Sequence, residues 1–129
     1  MHLLNADLHC HSRFSDGTLS PTALARRAHA NGVELWALTD HDEVSGLAEA
    51  AQAAASLGMG FVNGVEISVS FAGETVHIVG LGFDATHPAL LAGLARTCGG
   101  RLQRAQAMAD GLAQVGLKGA FDGALRYVG

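Results

Sequence analysis

Six side chains able to hold a metal ion recur in short polar islands of this sequence: His9, His11, Asp16, His41, Glu66 and His77. His9 and His11 stand one residue apart, so on an extended strand their imidazoles share a face while Cys10 points away, a spacing suited to chelating a transition metal. Ser15-Asp16-Gly17 adds a carboxylate on a flexible turn, Thr39-Asp40-His41-Asp42 a histidine between two acids, and Gly64-Val65-Glu66 a further carboxylate. His77 interrupts the otherwise apolar run VHIVGLG. Mixed imidazole and carboxylate ligation suits Mn2+, Fe2+ or Zn2+ better than Ca2+ or Mg2+ alone. More than four donors imply more than one ion, with Glu66 able to bridge. Two ions roughly 3.5–4 Å apart are a device for phosphate ester hydrolysis, activating water and stabilising attacking and leaving oxygens. Asp7 and Asp40 adjoin these donors and are expected to orient the imidazoles.

Taken singly, each residue has an ordinary reading. An HxH pair is common, His77 could be a satisfied core histidine, and Glu66 a buried ion-pair partner. Asp16 could serve an Asp-Gly turn, and Asp40 and Asp42 could cap helices. Taken together they favour metal, because burying this many polar groups in one place is costly without a compensating ion. His2, His29 and His87 read as structural, Cys10 as a sheet-packing thiol and Cys98 as a lone one.

The elements that must position these donors follow from pattern. Strands are expected over Leu3–Cys10, Val33–Thr39, Gly60–Phe71 and Thr75–Phe83, the last two joined by the turn Ala72-Gly73-Glu74. A helix over Thr22–Ala30 starts at Ser20-Pro21, a cap followed by a proline in the first turn, and stops at Asn31-Gly32. An alanine-rich helix spans Leu47–Leu57 and ends at Gly58. This β-α-β-α-β-β order predicts an α/β fold with a mainly parallel sheet layered by helices. Ligands of such sheets gather at the carboxyl ends of the strands, and the six donors are expected at the ends of successive strands. From Pro88 the character changes: 89–100 and 101–116 both carry helical periodicity, separated at Gly99-Gly100, and 117–129 is a glycine-punctuated tail without a strand. Residues 1–86 read as an α/β unit and 87–129 as a helical attachment.

Composition agrees. At 129 residues the chain fits one domain; 49% apolar and 16% charged residues exclude disorder. Aromatics at 5% beside 17 glycines favour close helix-on-sheet packing over a sandwich of bulky rings. A net charge of −4 lacks the basic footprint of a duplex-DNA binder, leaving room for a nucleotide or single-stranded end. Two cysteines are too few for a disulfide framework, and no signal peptide or membrane span is legible, so a cytoplasmic location is expected.

The ordered motifs Asp7-Leu8-His9-Cys10-His11-Ser12 with Ser15-Asp16-Gly17, Thr39-Asp40-His41-Asp42, Gly64-Val65-Glu66 and His77-Ile78 resemble those of the PHP (polymerase and histidinol phosphatase) family. The resemblance covers residues 5 to about 82. It implies a distorted seven-stranded β/α barrel with two or three divalent metals, Mn2+ foremost and Fe2+ or Zn2+ as alternatives. It further implies that His9 and His11 hold the first ion, Glu66 bridges it to one that His77 also holds, and Asp16 and His41 hold a third, with Glu66 and Asp16 the catalytically central acids. Within the family the motifs are most similar to the branch of 3′,5′-nucleotide bisphosphate phosphatases and 5′-3′ exoribonucleases. The implied activity is release of the 3′-phosphate from nucleoside 3′,5′-bisphosphates, or trimming of short RNA. Those relatives carry a helical insertion whose start the GRLQRA stretch resembles. Arg101 and Arg104, one helical turn apart, are then candidates for the non-scissile phosphate, or simply a solvated helix face; Arg13 is a further candidate. The rival readings are a histidinol-phosphatase-like enzyme, an amidohydrolase and a non-catalytic PHP module. The family barrel continues with further strands, a His-Pro motif and an Asp-x-His motif, which the 129 residues lack. The resemblance therefore implies an N-terminal portion with an unfinished barrel, an exposed sheet edge and incomplete metal sites.

Overall fold

The computed structural model describes residues 3–127; His2 lies outside them. In chain order the elements are β1 (Ala6–Asp7), α1 (Pro21–Ala30), β2 (Leu35–Leu38), α2 (Leu47–Ser56), β3 (Gly60–Phe71), β4 (Glu74–Leu81), α3 (Pro88–Gln114) and α4 (Ala120–Leu125). The strands form one four-stranded sheet in the order β1-β2-β3-β4. β1, β2 and β3 run parallel, joined through α1 and α2, whereas β4 returns antiparallel to β3. The result is a partial half-barrel sheet of four strands with helices.

Local chemistry sets the boundaries. The Ser20 hydroxyl accepts from the Ala23 amide at 3.2 Å, Pro21 opens α1, and Gly32 beyond its end takes φ +78°. The Glu49 carboxylate on α2 accepts from the Thr22 amide (3.1 Å) and hydroxyl (2.8 Å), so one helix caps the next. Phe71 pairs directly with Glu74, which leaves Ala72 and Gly73, both at positive φ, as a two-residue hairpin turn.

One face of the sheet carries the core. Alanines let α1 and α2 approach closely: Ala25, Ala28, Ala50, Ala53 and Ala54 pack with Trp36, Leu38, Leu47 and Met59. The Trp36 indole N–H donates to Cys10 Sγ at 3.1 Å, which gives the one tryptophan a partner inside the core. β4 is an edge, with Val76, Ile78, Val79 and Leu81 all exposed.

Three expectations are corrected. β1 is two residues long rather than reaching Cys10, because the Cys10 amide donates to the Thr39 hydroxyl (3.1 Å) instead of a strand ladder. The helical region does not break at Gly99-Gly100; α3 runs 27 residues through both glycines. Each glycine costs about 1 kcal/mol relative to alanine, but Cys98 and Arg101 bind Asp42 on either side of the pair, and Leu94 is buried one turn earlier. The tail has no strand among the described residues, as expected, and holds a short helix, α4. Finally, His77 lies on an antiparallel strand and Glu66 within β3, beyond its last parallel pairing with β2 at Asn63. The donors therefore converge from both sides of one hairpin as well as from parallel strand ends. No helix among the described residues is long and apolar enough to cross a membrane.

Candidate metal centre

Glu66 is the hub. β3 carries it past the last pairing with β2, where an isolated parallel bridge pairs it with His41. Its carboxylate is only 9% exposed and four imidazoles face it. Oε2 lies 2.7 Å from His9 Nε2, 3.1 Å from His11 Nε2 and 3.9 Å from His41 Nε2. Oε1 lies 3.2 Å from His77 Nδ1. His77 reaches it because His77 is the cross-strand partner of Ser68, two residues from Glu66 on the same face. Asp16 closes the other side, 3.7 Å from His11 Nδ1 and 3.7 Å from His41 Nε2.

All six predicted donors thus meet in one site. They fall into three overlapping groups whose donor atoms lie within 4.8 Å of one another: His9, His11 and Glu66; His11, Asp16 and His41; His41, Glu66 and His77. The rings pack against one another, His11 stacking on His41 at 4.6 Å and His41 meeting His77 edge-on, nitrogen to nitrogen at 3.3 Å.

This donor set fits divalent metal. His11 Nδ1 is buried without a hydrogen-bond partner, and leaving such an atom unsatisfied is costly. A single carboxylate also cannot satisfy four converging imidazoles, whereas cations between them can. Burial works against the charge on Glu66, yet the His9 hydrogen bond and the neighbouring His41, His9 and His11 outweigh it and hold its carboxyl below the usual value. The acid is therefore ready to ligate. Cys10 is not: burial pushes its thiol up to about 11, with Asp7 and Asp40 adding to the rise and the Trp36 hydrogen bond opposing it.

Asp7 and Asp40 do not orient imidazoles as expected. The Asp7 carboxylate faces the His9 backbone amide at 3.4 Å, and that of Asp40 binds Ser12 and Ser15. Asp40 emerges directly beside His41 on an extended segment and so points away from it, whereas Asp7, two residues before His9, is taken up by the His9 backbone amide.

An open cleft of about 280 Å3 adjoins the donors, lined by Ser15, Asp16, His41, Ser68, His77 and Arg101. Arg101 reaches it from α3, anchored through Nη2, which donates to Asp42 Oδ2 (2.6 Å) and to the His41 carbonyl (3.1 Å). Arg104 is exposed and outside that lining; Arg13 is exposed, 6.0 Å from the Phe14 ring. Asp42, taken from sequence as a helix-capping acid at most, proves fully buried at φ +53° and accepts from the Ser68 amide at 2.8 Å. Its signal was the second acid beside His41; the partners, 26 and 59 residues away, left none.

Residues 7–113 match the PHP domain, which is most of the chain. The chain belongs to the PHP domain family. Over 125 residues this PHP chain is 56% identical to the 3′,5′-nucleoside bisphosphate phosphatase of Chromobacterium violaceum, covering 97% of itself and 44% of that protein. It is 49% identical over 118 residues to a 5′-3′ exoribonuclease of Haemophilus influenzae, covering 92% of itself and 43% of the relative. Among solved structures, a Chromobacterium violaceum protein named as an amidohydrolase, with sulfate bound and no metal, superposes with a TM-score of 0.87 at 57% identity, over 95% of this chain and 43% of that one. A Bifidobacterium adolescentis protein, to which metal-dependent phosphoesterase activity is ascribed, gives 0.77 at 33% identity, over 84% of this chain and 38% of that one. The PHP chain thus spans less than half the length of these relatives.

Proposed function

We propose that the protein is a metal-dependent phosphoesterase that removes the 3′-phosphate of nucleoside 3′,5′-bisphosphates and also accepts short RNA 5′ ends. One observation carries this reading: three donor groups share His11, His41 and Glu66 within one site, in a chain 56% identical to a 3′,5′-nucleoside bisphosphate phosphatase. His9, His11 and Glu66 hold one divalent ion, His41, Glu66 and His77 a second, and His11, Asp16 and His41 a third, with Mn2+ the leading identity and Fe2+ or Zn2+ the alternatives. Ions bound there supply Lewis acidity to the phosphoryl oxygens and lower the pKa of the attacking water.

The chain's own residues do the rest. Glu66 lends its negative charge to two donor groups at once and fixes the spacing between them. Arg101 keeps Nη1 and Nε for the substrate while Nη2 is tied to Asp42 and His41. An arginine held in this way brings a fixed positive charge to the 5′-phosphate, with little ordering left to be done on binding. Arg104 contributes to the same phosphate only if α3 presents it differently in the bound state. Residues 1–86 form the first part of a seven-stranded PHP barrel and 87–129 the opening of a helical insertion. Its support is that α3 begins directly after β4, with no later strand among the described residues. Two free cysteines suit a cytoplasmic location.

The test measures phosphate release by the full-length, Mn2+-loaded protein. Its substrates are adenosine 3′,5′-bisphosphate, short 5′-phosphorylated RNA, histidinol phosphate and a panel of amides and lactams. Preference for the bisphosphate is expected. Faster turnover of histidinol phosphate or an amide would overturn the substrate reading, and no turnover of any substrate would favour the non-catalytic module.

A further inference from the structure

Among the six donors, Asp16 is the one whose position its own side chain does least to fix. Its carboxylate is 67% exposed. Its hydrogen bond comes from the Ser15 hydroxyl at 3.4 Å, but that hydroxyl has one proton and a far closer acceptor, Asp40 Oδ1, at 2.6 Å. Where Asp16 sits is therefore decided by the 12–17 loop, and that loop is wound around a single buried carboxylate.

Asp40 is 2% exposed. Oδ1 accepts from the Ser12 amide at 2.6 Å as well as from Ser15, and Oδ2 accepts from the Ser12 hydroxyl at 2.6 Å. All three contacts have the short lengths of charge-assisted bonds. Ser12, itself fully buried, passes the constraint on: its hydroxyl accepts from the Phe14 amide, and its carbonyl accepts from the Ser15 (3.0 Å) and Gly17 (2.9 Å) amides. The loop then returns so tightly that a Cβ on Gly17 would lie 2.2 Å from the His11 carbonyl oxygen. Two of the other donors have independent support. Glu66 and His77 sit on the β3–β4 hairpin, and the Asp40 backbone stays bonded to the Glu66 amide (3.2 Å) whatever its side chain.

We propose that Asp40 is a positioning residue: through Ser12 and Ser15 it fixes the loop that carries Asp16, and so sets the affinity of the ion held by His11, Asp16 and His41 without setting that of the others. This rests on the proposed assignment of Asp16 as a ligand. Outer-shell groups of this kind are worth 10–100-fold in metal affinity, although here the group acts through a loop rather than by touching a ligand.

The experiment titrates the metal-stripped, full-length protein with Mn2+ and resolves each binding step by electron paramagnetic resonance. Ser15→Ala severs only the far half of the clasp, on a partly exposed turn, and leaves Asp40 satisfied by Ser12. Asp40→Asn weakens the whole. Both should raise the dissociation constant of one ion by about 10-fold or more, the same ion that Asp16→Ala loses, and leave the remaining steps within twofold. Ser15→Thr, which keeps the hydroxyl, should restore binding. If Asp16→Ala removes an ion that Ser15→Ala and Asp40→Asn both retain with wild-type affinity, the clasp is refuted and the ligand assignment stands. Equal weakening of every ion also refutes it, making Asp40 a general folding residue. If Asp16→Ala itself retains every ion, the ligand assignment falls and the clasp proposal with it.

Discussion

Asp42 joins three segments in one buried carboxylate, and its replacement has effects that can be separated by choice of side chain. Asn at this position keeps an acceptor for the Ser68 amide and tolerates φ +53°. Asp42→Asn therefore removes chiefly the charge opposite Arg101. A hydrogen bond to a charged group contributes about 1.5–3 kcal/mol. The Asp42 end is fully buried but Arg101 is 40% exposed, so solvent screening brings the expected loss to about 1–2 kcal/mol. Asp42→Ala adds an unpaired, part-buried Ser68 amide, about 1–3 kcal/mol, and an alanine in the left-handed region, about 1 kcal/mol. Its total should reach about 3–6 kcal/mol, overlapping the range for breaking a buried pair from one side. Urea unfolding of the metal-stripped protein at neutral pH, followed by far-ultraviolet circular dichroism, measures both. Equal losses in the two variants would show that the amide and the backbone conformation carry none of the difference, and would refute the reasoning.

Glu66→Ala should abolish nearly all turnover and lower Mn2+ stoichiometry, as read by elemental analysis; wild-type turnover would remove Glu66 from the bridging role. Arg101→Ala should mainly raise KM for the bisphosphate, whereas Arg104→Ala should leave kcat/KM within about twofold, since the cleft is lined by the first and not the second. The hydrogen bonds from the Thr22 hydroxyl and amide hold the Glu49 carboxyl below its usual value. Its folded pKa is depressed, so its contribution to stability is present above the unfolded pKa and fades as pH falls through the folded one. Glu49→Gln should accordingly flatten the acid limb of a plot of unfolding free energy against pH below the ordinary carboxylate range.

Local signals in the sequence were enough for several elements. The Ser20-Pro21 start and Asn31-Gly32 stop of α1, the end of α2 before Gly58 and the span of β3 all follow from the chemistry of adjacent residues. The six donors were legible for a similar reason: each motif is a short run in which residue type and spacing carry the message. Where the sequence misled, the deciding interaction was non-local. Glycines at 99 and 100 suggested a break, but contacts from Asp42 hold α3 across them. β1 looked long until the Cys10 amide turned to Thr39.

The residues by themselves pointed to several imidazoles and carboxylates sharing one polar site, since gathering so many polar groups is costly without a compensating ion. Which acid does what was left to tertiary structure. Asp16 and Glu66 face the imidazoles, while Asp40 and Asp42 on either side of His41 turn away, one into the Ser12–Ser15 loop and one toward Ser68 and Arg101. A carboxylate's role depends on the donors that surround it in space, and those arrive here from segments up to 59 residues away.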